Sequence, residues 1–84
     1  MFAKIKSPNF IDALRFQLSA PKGNFLRGVI KNDAGNICRT MEKKIDTERE
    51  ELTWTGLNDL PYGRYTLELS QGGDEIKVNL VKRV

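Results

Sequence analysis

Apolar and polar residues alternate one by one along most of this chain, and turn-forming residues break the alternation about every 8–12 positions. A period of two sends successive side chains to opposite faces of a strand, so each such segment has one apolar face to hide. Leu14, Phe16 and Leu18 alternate with Arg15, Gln17 and Ser19, and Ala20-Pro21-Lys22-Gly23-Asn24 closes that strand. A second strand over 25–31 has two possible inward faces, Leu26, Gly28 and Ile30 or Phe25 and Val29. Asn32-Asp33-Ala34-Gly35-Asn36 reads as a hairpin turn, because Gly and Asn tolerate the positive φ such turns require.

Ile37, Met41 and Ile45 share parity on a following strand that is otherwise polar, as a sheet edge is. Residues 46–51 read as an acidic loop, Leu52 and Trp54 as a short strand, and residues 56–63 as a compact turn segment. Tyr65, Leu67 and Leu69, then Gln71-Gly72-Gly73-Asp74, then Ile76, Val78 and Leu80 make a hairpin. Residues 38–52 contain good helix formers, but Met41, Ile45 and Leu52 give too narrow a stripe for a buried helix. With residues 2–5 as an N-terminal edge, the pattern predicts an all-β antiparallel sandwich of six or seven strands, one domain over 1–84.

The chemistry is bounded by what is missing. Histidine is absent and Cys38 is the lone cysteine, so no internal disulfide forms and Ser, Thr or Cys nucleophiles lack the usual imidazole base. A zinc site would need carboxylates alone, and for calcium only Asn58-Asp59 offers a hint of clustered oxygen ligands. The expectation is a non-catalytic chain with no cofactor, no metal and no small-molecule substrate. The net charge of +3 is mild, and its bases are interleaved with acids rather than set in a stripe with aromatics. Nucleic-acid binding is therefore not expected. No apolar run approaches the roughly 20 residues that cross a bilayer, so membrane insertion is not expected either. The first residues lack the apolar core of a secretory signal, which fits a cytoplasmic protein or a piece of a longer chain.

Two stretches go beyond generic alternation. One is Val29-Ile30-Lys31-Asn32-Asp33-Ala34-Gly35-Asn36-Ile37, and the other runs from Leu52-Thr53-Trp54-Thr55-Gly56 to Leu60-Pro61-Tyr62-Gly63-Arg64-Tyr65. With Pro8-Asn9 near the start and Lys77, Lys82 and Arg83 near the end, they resemble the C-terminal sorting domains of cargo proteins of the bacterial type IX secretion system. Trp54-Thr55-Gly56 is also similar to the immunoglobulin-like domain of flagellar hook-capping proteins. Ser7 and Phe10 depart from the sorting-domain pattern, which often has an aromatic before the Pro and a second Pro after the Asn.

The resemblance implies an immunoglobulin-like sandwich at the C-terminal end of a longer protein. It implies secretion to the surface of a Gram-negative bacterium and a protein partner, the outer-membrane translocon. A spacer or edge-docking module serving a neighbouring domain is the alternative, and a carbohydrate platform on Trp54 and Tyr62 a distant third.

Among the individual residues, Gly63 is expected to permit positive φ before the Tyr65 strand, and Tyr65 to be a core aromatic whose hydroxyl meets the backbone. Trp54 is expected to pack against Tyr65 or Leu67. Cys38 is placed on the polar side of its strand. Tyr62, Lys77, Lys82 and Arg83 are the expected partner contacts, with an accessible tail whose removal leaves the sandwich nearly as stable.

Overall fold

A computed structural model describes residues 2–83. Its strands are β1 (Ala3–Ile5), β2 (Asn9–Phe10), β3 (Leu14–Ser19), β4 (Phe25–Asn32), β5 (Ile37–Lys44), β6 (Arg49–Trp54), β7 (Gly63–Gln71) and β8 (Asp74–Lys82). They form two sheets in the orders β1-β3-β6 and β2-β8-β7-β4-β5. All pairs are antiparallel except β2 with β8. This is an all-β sandwich of a three-stranded and a five-stranded sheet, with the N-terminal segment divided between the two. Among the described residues no helix is long and apolar enough to cross a membrane.

The inward faces follow the alternation. Leu14, Phe16 and Leu18 of β3 face Leu26 and Ile30 of β4, Leu67 and Leu69 of β7, and Leu80 of β8, all nearly inaccessible. Ile45, Leu57 and Leu60 close the core from the loops. On β4 the face is thus Leu26, Gly28 and Ile30, and Phe25 points outward. The β7–β8 hairpin has a two-residue Gly72-Gly73 loop, with Gln71 opposite Asp74.

Four local expectations are corrected. The described residues form eight strands rather than six or seven, because a two-residue β2 was too short to read. Arg49, Glu50 and Glu51 extend β6 rather than lying in a loop, opposite Ser19, Leu18 and Gln17. Glu50 can face inward there because Lys43 reaches it from β5, Nζ to Oε2 3.8 Å. Ile37 does not share the inward parity of Met41. A bulge on β5 pairs Ile30 with Arg39 but Lys31 with Ile37, leaving Cys38 as the extra residue. Ile37 is thereby turned to solvent, while Cys38 packs half-buried against the core rather than on the polar side.

Candidate functional site

Four strand ends meet at one end of the sandwich. In register they are Asn32 of β4, Tyr65 and Gly63 of β7, Leu80 and Lys82 of β8, and Phe10 of β2. The β4–β5 turn caps this pole: Asn32 Oδ1 accepts from the Ala34 and Asn36 amides at 3.0 and 2.9 Å. Asp33 and Gly35 are exposed within that turn.

Tyr65 is buried, and its hydroxyl donates to the Pro61 carbonyl at 2.6 Å. This bond folds the loop before β7 back on the strand, and Gly63 enters β7 at φ +141°, which a side chain would resist. Phe10 meets the Tyr65 ring edge-on, centroids 6.1 Å apart. Burial, and then the neighbouring Cys38, hold the Tyr65 phenol above its ordinary value.

The tail is woven into the pole. The Val81 amide donates to the Pro8 carbonyl at 2.9 Å, and the Arg83 amide to the Phe10 carbonyl at 2.8 Å. Arg83 Nε donates to Asn9 Oδ1 at 3.2 Å. Lys82 is only 3% exposed, contrary to the expected accessible tail. It shares the parity of Ile76, Val78 and Leu80, so its stem lies on the core face. Its ammonium sits 5.3 Å from the centroid of the Tyr62 ring and donates to the Arg83 carbonyl at 3.4 Å. Tyr62 itself is 65% exposed, an aromatic face fixed from beneath by a cation. Arg83 remains on the surface.

Pro8, Asn9, Tyr62, Gly63, Tyr65, Lys82 and Arg83 are therefore brought together, with Asp33 beside them. A groove of about 440 Å³ runs between the 32–34 turn and residues 61–65. Lys77 stands apart, on the outer face of β8 opposite Glu68. Trp54 also lies outside the pole: it is half-buried against the core, its ring over Gly28 of the facing sheet.

One pair escaped the sequence reading. Arg39, which shares the inward parity of Met41, donates to Asp59 Oδ1 at 2.6 Å. That hydrogen bond and the guanidinium charge hold the Asp59 carboxyl below its ordinary value. The carboxylate offered as a calcium hint is thus already engaged. Among the described residues no three Cys, Asp or Glu side chains converge as a metal site. What the pole presents is an exposed aromatic, Tyr62, and an exposed guanidinium, Arg83. No known protein family, curated protein or solved structure matches this chain.

Proposed function

We propose that this chain is a non-catalytic recognition module read by a protein partner, and that its role is that of a secretion-sorting domain. The observation that supports this reading is the convergence at one pole of elements far apart in sequence. Pro8-Asn9, Tyr62-Gly63-Arg64-Tyr65 and Lys82-Arg83 are among the segments on which the resemblance rests, and direct hydrogen bonds and a cation–π contact join them. In that role the partner is the outer-membrane translocon and the destination is the surface of a Gram-negative bacterium. Tyr62 is the natural anchor, since exposed aromatics on rigid loops supply much of the energy of protein interfaces.

A reporter fused to this domain, in a bacterium with type IX machinery, tests the proposal. Tyr62→Ala leaves the melting curve in place, because the ring is mostly exposed, and abolishes export. A folded Tyr62→Ala domain that is exported normally sinks the sorting role as assigned to this pole. A second reading, docking by strand addition, is favoured by one observation. β2 covers only Val81 and Lys82 of β8, so the outer edge of β8 before Val81 has no strand partner among the described residues.

A further inference from the structure

Beside the pole, the segment joining β1 to β3 borders a cleft of about 460 Å³. Phe10 and Ala13 line it, and Ile11 stands on its rim, 53% exposed. Three cations from three separate segments also line it: Lys6 just after β1, Arg15 in β3 and Arg83 just after β8. Lys6 and Arg15 are backbone neighbours, the Lys6 amide donating to the Arg15 carbonyl at 3.1 Å. Lys6 is paired with Glu51 at 3.1 Å, and Arg83 meets only the neutral amide of Asn9. Among the described residues no ion pair includes Arg15 or Arg83. Asp12 is the single acid lining the cleft.

We propose that this cleft docks an acidic polypeptide segment of a protein partner, its carboxylates meeting Arg15 and Arg83 and an apolar side chain covering Ile11. Charge complementarity makes the assignment. A guanidinium holds a carboxylate with two parallel hydrogen bonds, and neither of these is already engaged by one. A nucleic acid fits worse. Ile11 offers apolar contact that a phosphate backbone cannot use, and the one aromatic here, Phe10, is buried and so offers no face for a base. The inference rests on the protein-binding half of the reading above and not on secretion, so it is tested without the translocon.

Fluorescence anisotropy with a labelled Glu-Glu-Leu-Phe-Glu-Glu peptide reads the binding directly. Its Gln-for-Glu counterpart and an oligothymidylate of equal charge are the comparisons. The acidic peptide binds, and binding weakens as salt shortens the range of the charges. Both comparison ligands bind roughly tenfold more weakly. Arg15→Glu and Ile11→Ser each weaken the acidic peptide roughly tenfold. Lys22→Glu, in the turn at the far end of β3, changes nothing. Equal binding of the Gln peptide, equal or tighter binding of the oligonucleotide, or no binding of the acidic peptide overturns the proposal. Arg15 and Ile11 are exposed, so the variants keep their fold, and binding of the acidic peptide unchanged in both variants likewise overturns the proposal. A failure here leaves the export test at Tyr62 standing.

Discussion

Tyr65 shows what one side chain contributes on two fronts. Its ring completes the core at the pole, and its hydroxyl satisfies the Pro61 carbonyl. Tyr65→Phe keeps the ring but leaves that acceptor unpaired, which costs about 1–2 kcal/mol in a denaturant melt. The same residue sets an alkaline limit. Because burial raises the folded phenol above the unfolded value of 10.0, the folded state disfavours the phenolate. The stabilisation is complete below pH 10 and disappears as pH rises through the folded value. A melt series from neutral to strongly alkaline pH therefore shows a loss of stability that Tyr65→Phe reduces; an identical slope in the variant would refute it. Both the core position and the backbone bond of Tyr65 were legible in the sequence, from parity with Leu67 and Leu69 and from a phenol with nowhere else to go. The burial of Lys82 was legible by the same parity, two positions past Leu80, but a terminal basic pair reads as solvated. Its flexible stem is what lets a lysine occupy a core-facing position while its charge leaves over Tyr62.

Among elements, the divided first strand has a cause in the residues. Continuing the parallel register of β2 backwards along β8 would set Lys4 opposite Ile76 and Lys6 opposite Val78, turning both lysines to the core. Pairing instead with β3 sets Ala3 opposite Leu18 and Ile5 opposite Phe16, with the lysines outside. A one-residue change of parity thus moves the chain from one sheet to the other at Lys6-Ser7-Pro8. Periodicity over three residues cannot announce such a change, and two residues of β2 carry no period at all. The β5 bulge was hidden for a related reason: the polar alternation of an edge strand holds no apolar marker of where the parity slips. The tail is the element that this topology makes structural. Deleting residues 82–84 removes the Lys82 pairing with Gly63 and Phe10 and both Arg83 bonds to β2. A truncated chain is expected to lose about 2 kcal/mol and melt roughly 8–16 °C lower. A melting point unchanged by the deletion would return the tail to the accessible, dispensable state first expected of it.

For the molecule as a whole, the spacing of the two sheets depends on Gly28. A Cβ there would lie 2.9 Å from both Met41 Cγ and Trp54 Cζ3, so the indole of one sheet rests on bare backbone of the other. Gly28→Val should cost about 1–3 kcal/mol by overpacking, with part of the loss recovered in the Gly28→Val, Trp54→Leu double variant. Strict additivity of the two changes would show that the glycine is not there for the tryptophan. This long-range fit is the kind of fact a sequence conceals, since residues 28 and 54 meet only once the sheets are stacked. The pole is concealed likewise, because residues 9 and 83 become neighbours only through the parallel pairing of β2 with β8. That pairing also decides how the domain bears load. Tension applied through its two ends pulls β2 and β8 lengthwise in opposite directions. Their hydrogen bonds, and those of β1 with β3, are then sheared together rather than opened one after another. A sandwich whose first and last strands are tied in this way resists being stretched more than its small size suggests.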